Sequence, residues 1–256
     1  MHFTAVRAFA DNFVWIARRG VGDPIIIVDP GQAEPVLSAL ADEPLPPAAI
    51  LLTHHHADHI GGVSALVEKY PDIRVIAPTD ERLGYRTESV VPGDVVEVTG
   101  FTFKVLDLAA HTTSHIGYFG DGVLFCGDAL FSLGCGRLFE GTPADLHRVM
   151  STLKEMPATT KVFAAHEYTL SNSHFARHVE PSNMTLQEYS EKITQLRQLG
   201  RDTLPTSMDI ELACNPFLRS DLPEISESIA REFGSPSADA IERIGRLREW
   251  KDRYVS

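Results

Sequence analysis

The amino-acid sequence predicts an α/β domain that is followed by a helical region. Short apolar runs of strand length alternate with turns and amphipathic helices up to about residue 170, and beyond it the patterns are helical. Strands mixed with helices, followed by helices alone, are typical of an α/β domain with a helical appendage. A chain of 256 residues has room for one domain and a smaller second one. We therefore predict domains at residues 1–169 and 170–256, joined without a flexible linker because no Gly/Ser-rich stretch separates them.

The predicted strands are recognised by their apolar patterns. Residues 25–28 (IIIV) end at Asp-Pro-Gly, which indicates a strand followed by a turn. Residues 101–108 alternate apolar and polar side chains, as a half-buried strand does. Residues 116–119 and 123–126 flank Gly-Asp-Gly and predict a hairpin. The last convincing strand is predicted at residues 161–165.

The predicted helices are recognised by apolar residues three and four apart. Residues 63–70 have this spacing. Another helix is expected to start at Thr142, with the proline that follows it in the first turn. A capping box at residues 185–188 predicts a helix that opens there and runs to about residue 199. Residues 237–254 predict a terminal helix, with these apolar residues at spacing three: Ile241, Ile244 and Leu247.

The charge balance disfavours nucleic acid as a partner. The chain has 23 Lys+Arg against 35 Asp+Glu, a net charge of −12, and no basic stripe stands out. Such a surface repels a phosphate backbone. The hydrophobic fraction of 43% and the charged fraction of 23% are ordinary for a soluble globular protein. No protein partner is evident from the sequence.

The cysteines and the apolar runs predict a cytoplasmic location. Cys126, Cys135 and Cys214 are an odd number at wide spacing without a CxxC pair, which fits neither a disulfide framework nor a cysteine zinc site. Free thiols are the rule in a reducing cytoplasm. The N-terminus lacks a basic region followed by an apolar core, so export is not expected. No apolar run approaches the roughly 20 residues that a membrane span needs, so no membrane association is expected.

A dense cluster of metal-ligand residues lies at residues 53–59 (THHHADH), directly after the apolar run 48–52. An apolar run that changes abruptly to ligand-rich residues is typical of a buried strand that opens onto a site. In an extended segment, side chains at i and i+2 point the same way, so His54 and His56 can converge on one ion. Asp58 and His59 follow where the chain turns into a helix, and their direction suits a second ion. The alternative is a histidine-rich surface loop, which the ordered spacing disfavours.

Further ligand-type residues follow later strands. His111, Asp128 and His166 each come after an apolar strand, as the first cluster does. Strand ends at one edge of a layered α/β domain converge on one site. A lone histidine is more often a hydrogen-bonded structural residue, and His115 is ambiguous between the two roles.

The complete motif resembles a known family. THxHxDH with a later His, a Gly-Asp pair and a last His resembles the metallo-β-lactamase superfamily, and within it the closest resemblance is to glyoxalase II, the hydroxyacylglutathione hydrolases. This resemblance runs nearly end to end. The segments that carry it are residues 8–15, 134–141, 166–169, 175–181, 215–219 and 248–252. The metal motif alone specifies the superfamily, and the later segments specify the family.

The resemblance implies an αββα metallo-β-lactamase sandwich with a C-terminal helical domain and two metal ions at the sandwich edge. The ion pair is expected to be zinc, with iron or manganese also suited to imidazole and carboxylate ligands. One ion is held by His54, His56 and His111, the other by Asp58, His59 and His166, and Asp128 bridges them. Asp29 is expected to orient a metal-bound histidine. His115 is placed with it, as a structural residue.

The family implies hydrolysis of S-(2-hydroxyacyl)glutathione thioesters, principally S-D-lactoylglutathione, to glutathione and D-lactate, the second step of methylglyoxal detoxification. A hydroxide held by the two ions is the nucleophile. Asp58 and Asp128 are the catalytic carboxylates, and Asp58 can accept a proton from the attacking water. Glutathione is expected between the catalytic domain and the substrate-binding helical domain, at Arg137, Phe139, Tyr168, Arg248 and Lys251. Some relatives carry Tyr at the position of Phe139. Phe139 has no hydroxyl, so it is expected to offer only a packing contact.

Other functions remain open on the residues alone. Arg248 and Lys251 lie three apart on one helix face, which is suited to a carboxylate, and the alternative is a solvated face. Within the superfamily, a persulfide dioxygenase would bind a single iron, a β-lactamase would be exported, and a metallo-nuclease would have a basic surface. A non-catalytic metal- or glutathione-binding protein is the alternative from a different class.

Overall fold

The computed structural model describes residues 1–255, which divide into two compact units. Unit 1 contains Met1–Leu108 and Ser114–Gly127. Unit 2 contains Ala109–Thr113 and residues 128–255. The limits of these two compact units do not coincide with the predicted domain boundary near residue 170. That boundary stays a prediction.

Unit 1 is built from two sets of neighbouring strands. The first set forms a sheet in chain order, antiparallel between its first three strands and parallel between the rest. Its strands are β1 (His2–Ala8), β2 (Asn12–Arg18), β3 (Ile26–Val28), β4 (Ala49–Leu51), β5 (Arg74–Pro78) and β6 (Glu88–Val90). The second set is antiparallel and also lies in chain order. Its strands are β7 (Val95–Val98), β8 (Phe101–Asp107), β9 (Ile116–Gly120) and β10 (Val123–Gly127).

The predicted strands and hairpin of unit 1 are confirmed. Asp121 and Gly122 connect β9 to β10 with φ angles of 52° and 76°. Two consecutive positive φ angles are the mark of a type I′ hairpin turn, which favours Asp-Gly. The short helices of the unit are α1 (Ala33–Ala39), α2 (Ala57–Ile60) and α3 (Val63–Lys69). The core packs aliphatic side chains of the first sheet against α1 and α3.

Tyr118 links the two sets of strands within unit 1. Its ring is fully buried on β9, and its hydroxyl lies 3.0 Å from the carbonyl oxygens of both Leu52 and Ile76. Leu52 directly follows β4, so this hydroxyl meets the backbone where β4 ends. A buried hydroxyl that finds backbone acceptors fixes its surroundings instead of destabilising them. The strand ends that precede residues 53–59 are therefore held in place from β9.

Unit 2 is mainly helical. Its helices are α4 (Pro143–Lys154), α5 (Thr169–Val179), α6 (Met184–Gln198), α7 (Met208–Cys214), α8 (Pro223–Phe233) and α9 (Ala240–Arg253). β11 (Leu130–Phe131) pairs with β12 (Gly134–Cys135), and β13 (Lys161–Ala164) pairs with β14 (Thr206–Ser207). β14 corrects the expectation that helices alone follow residue 170. Among residues 1–255 no helix is both long and apolar enough to cross a membrane.

The helix starts of unit 2 are set by capping side chains. Thr142 caps α4 as predicted, in a capping box with Asp145. The cap predicted at residue 185 is wrong, because Asn183 accepts a hydrogen bond from the Leu186 N–H and α6 begins at Met184. The terminal helix begins later than predicted, because Asp239 caps α9. Ile241 is exposed on α9 and does not extend its buried face.

Candidate functional site

Unit 1 gathers ligand-type side chains at the carboxyl ends of β3 and β4. His54 lies three residues beyond Leu51, the last residue of β4, and His59 lies in α2; both side chains are buried. The His54 ring centroid is 4.1 Å from that of His59 and 4.7 Å from that of His56. Asp29, His54 and His59 each offer one ligand atom, and these atoms lie within 4.8 Å of one another. Parallel strands end at the same edge, which brings these residues together.

Asp29 orients this group. Its Oδ1 accepts a hydrogen bond from the Thr53 N–H at 2.8 Å, and its Oδ2 accepts one from the Thr53 hydroxyl at 2.7 Å. His59 Nδ1 lies 3.0 Å from Asp29 Oδ2. A carboxylate accepts, so Nδ1 carries the proton and the Nε2 lone pair points to the other side of the ring. Asp29 therefore contacts a predicted ligand histidine, and its role in orienting a metal-bound histidine stays a prediction.

Asp58 is held at the start of α2 by a close approach of two backbones. A Cβ at Gly31 would lie 1.8 Å from the Asp58 carbonyl oxygen, so position 31 has no room for a side chain. Asn12 donates from Nδ2 to Asp58 Oδ2 at 3.1 Å. The side chain of Asp58 is 41% exposed, whereas His59 beside it is buried. The two neighbours therefore present their ligand atoms in different surroundings.

Asp80 is a site-supporting residue that sequence reasoning missed. Its Oδ2 accepts hydrogen bonds from Arg82 Nη2 at 2.7 Å and from the Ser114 hydroxyl at 2.5 Å. His55 points to this carboxylate, with Nδ1 3.6 Å from Oδ2, and not along the direction of His54. Arg82 keeps the pKa of Asp80 well below its usual range, so Asp80 is a carboxylate at neutral pH. No local sequence pattern around residue 80 predicts the contacts of Asp80 with His55 and Ser114.

His115 is a buried structural neighbour of the unit 1 group. Its ring stacks on His54 with centroids 4.6 Å apart. A Cβ at Gly127 would lie 2.3 Å from the Thr53 hydroxyl and 3.0 Å from His115 Nε2, so the end of β10 must be glycine. His115 thus packs against His54 from the side of β10.

Unit 2 gathers the other three ligand-type residues. Asp128 Oδ2 lies 3.5 Å from His111 Nε2, and Asp128 Oδ1 lies 3.3 Å from His166 Nε2. All three side chains are buried. His111 Nδ1 donates to the Arg137 carbonyl oxygen at 2.8 Å, and a carbonyl can only accept, so His111 Nε2 carries no proton in the neutral ring. One carboxylate therefore faces an imidazole nitrogen with each of its two oxygens.

Gly136 allows this arrangement to be compact. A Cβ at position 136 would lie 2.1 Å from the Asp128 carbonyl oxygen and 2.9 Å from His111 Nδ1. Both clashes involve groups that the site fixes, so no side chain fits. Because residue 136 is glycine, the backbone that leaves β12 can pass directly against Asp128 and His111.

A cavity of about 430 Å³ opens beside these ligands in unit 2. The five substrate-binding residues expected from the resemblance all line it, together with His111 and Asp128. Its other lining residues are Phe131, Cys135, Gly136, Ser171, Asn172, Asp252 and Tyr254. Positively charged and aromatic side chains therefore meet two of the ligand-type residues in one cavity.

Arg248 and Lys251 of α9 do not belong to a solvated face. Arg248 is 5% exposed; Nη1 donates to the Cys135 carbonyl oxygen at 2.8 Å and Nη2 donates to Asp252 Oδ1 at 3.0 Å. The Lys251 ammonium lies 5.4 Å from the ring centroid of Phe175. Burial lowers the pKa of Lys251 to about 8, and the charge of Arg248 adds to this effect. The wall of the cavity thus has a permanent cation beside a titratable one.

Aromatic side chains line the ligand side of the cavity. Tyr168 stacks on His166 with ring centroids 4.8 Å apart, and Phe131 meets both rings edge-on. Phe139 is 63% exposed, and its ring centroid lies 5.2 Å from that of His111. Without a hydroxyl, Phe139 can offer a packing contact but no hydrogen bond.

A buried polar network positions the β11–β12 hairpin, and sequence reasoning missed its centre, Glu211. Glu211 is fully buried on α7 and accepts hydrogen bonds from the Leu133 N–H at 2.8 Å and from Asn215 Nδ2 at 2.9 Å. Asn215 also donates to the carbonyl oxygens of Phe131 and Gly134. Burial raises the pKa of Glu211. The signal in the sequence was an acidic residue within an otherwise apolar helical turn, four residues before Asn215.

Two family models together match nearly the whole chain. The metallo-β-lactamase superfamily model matches residues 10–166, and the model of the hydroxyacylglutathione hydrolase C-terminus matches residues 167–254. Among solved structures, the BLEG-1 B3 metallo-β-lactamase is similar with a TM-score of 0.65 and 23% identity, over 85% of this chain and 99% of that one. A di-iron-bound form of TTHA1623 is similar with a TM-score of 0.55 and 26% identity, over 65% of this chain and 92% of that one. These likenesses confirm the metallo-β-lactamase fold and its helical C-terminal region.

Curated relatives match over the full length. A hydroxyacylglutathione hydrolase of Xanthomonas campestris pv. campestris is 46% identical over 99% of both chains. One of Stenotrophomonas maltophilia is 47% identical over 99% of both chains, and one of Photobacterium profundum is 44% identical over 98% of both. The chain therefore belongs to the hydroxyacylglutathione hydrolase family of the metallo-β-lactamase superfamily.

Proposed function

We propose that this protein hydrolyses S-(2-hydroxyacyl)glutathione thioesters, principally S-D-lactoylglutathione, to glutathione and D-lactate, the second step of methylglyoxal detoxification. Membership of the family makes the chain a hydrolase. The observation that carries the substrate class is the cavity of unit 2. Arg248 and Lys251 line this cavity together with His111 and Asp128. A ligand with a carboxylate at one end and a reactive acyl group at the other matches this combination.

The metallo-β-lactamase fold implies divalent metal ions, and the donor set of this chain fits them. We propose zinc, with iron or manganese as alternatives for the same imidazole and carboxylate ligands. One ion would be held by His54, His56 and His111, and the other by Asp58, His59 and His166, with Asp128 shared. The hydrogen bonds of His59 and His111 support this proposal, since each keeps the proton on Nδ1 and leaves the unprotonated Nε2 to bind a metal ion.

When bound, two such ions lower the pKa of a shared water and polarise an acyl carbonyl. The remaining tasks belong to side chains of this protein. Asp58, held by Asn12, accepts the proton of the attacking water. Arg248 and Lys251 hold the glycine carboxylate of glutathione, and Arg137 is a further contact of the glutathione part. A general acid is not required, because a thiolate with a pKa near about 8.5 leaves readily.

The function is tested by thiol release from S-D-lactoylglutathione, with the metal content determined on the same sample. Rapid release with about two ions per chain would support a binuclear hydrolase. No release from the metal-loaded protein would contradict the proposal, and oxygen uptake with glutathione persulfide would then be measured. The match at residues 167–254 supports the hydrolase over a persulfide dioxygenase, a β-lactamase and a non-catalytic binding protein.

Two further proposals concern organisation and location. We retain the domain boundary near residue 170, which is supported by the two family models meeting at residues 166 and 167. We also propose a cytoplasmic location, which the three free cysteines support, since thiols stay reduced there.

Replacing Asp29 by Asn is expected to weaken metal binding by about 10- to 100-fold. The variant keeps the shape of the side chain but loses the carboxylate that accepts from Thr53 and His59. Competition for zinc with a chromophoric chelator measures the change. Asp42→Asn, an exposed change in the same unit, is the control. Equal competition curves for Asp29→Asn and the wild type would refute this role of Asp29.

The value of kcat/KM is expected to fall as the pH rises through about 8, because Lys251 then loses the charge that attracts a carboxylate. Burial disfavours the ammonium, so the pKa of Lys251 lies below its ordinary value and half of the charge is lost at about pH 8. Lys251→Arg keeps the charge to higher pH and should remove this fall. Profiles of kcat/KM from pH 6 to 10 test it, and the same fall in both proteins would assign it to another group.

A further inference from the structure

The guanidinium of Arg248 depends on very few contacts for its orientation. The residue is 5% exposed, with Nη1 donating to the Cys135 carbonyl oxygen and Nη2 donating to Asp252 Oδ1. Among residues 1–255, Arg248 Nε has no hydrogen-bond partner. The face of the group lies 5.2 Å from the ring centroid of Phe217. A buried guanidinium needs an opposite charge close by, and Asp252 supplies it.

The same carboxylate oxygen contacts a second cation that lines the cavity. Asp252 Oδ1 lies 3.0 Å from Arg248 Nη2 and 3.5 Å from Arg137 Nε. Arg248 belongs to α9, whereas Arg137 lies in the segment that follows β12, with its side chain 64% exposed. Asp252 itself lines the cavity. One side chain therefore joins two basic residues from different elements at the place where a carboxylate is expected to bind.

A carboxylate at this place has two opposite effects on an anionic ligand. Its charge repels the ligand, so that removing it should strengthen binding. Its hydrogen bonds hold long, flexible side chains in one orientation, so that removing it should weaken binding. The first effect is reduced because Asp252 is 38% exposed to water and already paired with two cations. The second is large for Arg248, because loss of the Nη2 contact leaves this long side chain held through Nη1 alone, by the carbonyl oxygen and the Sγ of Cys135.

We propose that Asp252 is a positioning residue for substrate binding, which holds Arg248 and Arg137 in the orientation that receives the ligand's carboxylate. This inference rests on the proposed function, because it concerns the same cavity and the same glutathione thioester. Asp252 contributes through the two arginines, and its negative charge by itself opposes the ligand. The sign of the effect of removing that charge therefore separates positioning from simple electrostatics.

The test compares Asp252→Asn with Asp252→Glu and with Glu249→Gln as the matched control. Glu249 is on the same helix, pairs with Arg253 and is not among the residues that line the cavity, so its loss changes the charge of α9 equally without removing a lining side chain. For Asp252→Asn we expect KM for S-D-lactoylglutathione to rise about tenfold with kcat nearly unchanged. Asp252→Glu should restore most of the affinity, and Glu249→Gln should leave KM unchanged or slightly lower.

A second measurement does not depend on turnover. Calorimetric binding of S-methylglutathione to the metal-free protein should show the same order, with a Kd about tenfold higher in Asp252→Asn. A KM or Kd that stays equal or falls in Asp252→Asn would overturn the inference while leaving the hydrolase function intact. A wild-type protein that binds S-methylglutathione without hydrolysing the thioester would refute the proposed function alone. A wild-type protein that does neither would overturn both.

Discussion

Asp128→Asn is expected to reduce thioester hydrolysis by about 10³-fold or more. The carboxylate faces His111 Nε2 with one oxygen and His166 Nε2 with the other, at 3.5 and 3.3 Å. An amide keeps one acceptor oxygen but replaces the second with a donor, so it cannot serve two metal ions at once. The purified variant should hold fewer than the two ions proposed for the wild type. Thiol release and elemental analysis of the same sample measure both effects.

The control for this change is Glu227→Gln, an exposed carboxylate of α8. It removes the same charge at a residue that does not line the cavity and should leave activity and metal content unchanged. Circular dichroism establishes that both variants are folded. If Asp128→Asn retained two ions and wild-type turnover, the shared role of this carboxylate would be wrong.

Arg248→Met is expected to raise KM by about 10- to 100-fold with kcat within about twofold of the wild type. Methionine keeps the apolar stem that packs near Phe217 but removes the charge and the hydrogen bond to the Cys135 carbonyl oxygen. A hydrogen bond to a charged group contributes about 1.5–3 kcal/mol, which corresponds to this change in affinity. In the proposed binding mode this interaction does not involve the reacting carbonyl and is equal in the ground and transition states, so KM is expected to change and kcat is not.

Arg253→Met on the same helix provides the comparison. Its side chain is 55% exposed and pairs with Glu249, outside the cavity. KM should be unchanged in this variant at matched ionic strength. Unaltered kinetics in Arg248→Met would mean that the glutathione part binds elsewhere, and the proposed carboxylate site would be discarded.

The sequence predicted what short-range patterns encode. The β9–β10 hairpin was predicted from Gly-Asp-Gly, and the start of α4 from Thr142, because both depend on neighbours within three residues. The cap of α6 was misplaced by two residues, since Asn183 and Thr185 are both good caps and only backbone geometry distinguishes them. Helix existence and type were thus predicted more securely than helix ends.

Contacts between distant residues were beyond the reach of the sequence. Glu211 meets the β11–β12 hairpin 78 residues earlier, and Asp80 meets Ser114 34 residues later. Neither pairing leaves a periodic trace along the chain. Arg248 was open to interpretation as a solvated charge, because helical spacing does not reveal what covers a face. Its burial follows from packing against Phe217 and Cys135, which the fold brings to it.

The absence of a side chain at Gly136 has a consequence for how this enzyme family can diversify. The carbonyl group on one side of it receives Arg248, and the carbonyl on the other side receives His111. A single peptide segment therefore holds one residue of the proposed metal site and one of the proposed glutathione site, so an insertion or a bulkier residue there is expected to damage both at once. We therefore expect substitutions around this segment to be tolerated better than substitutions within it. Phe139, exposed three residues further on, is the natural position for an engineer to vary first.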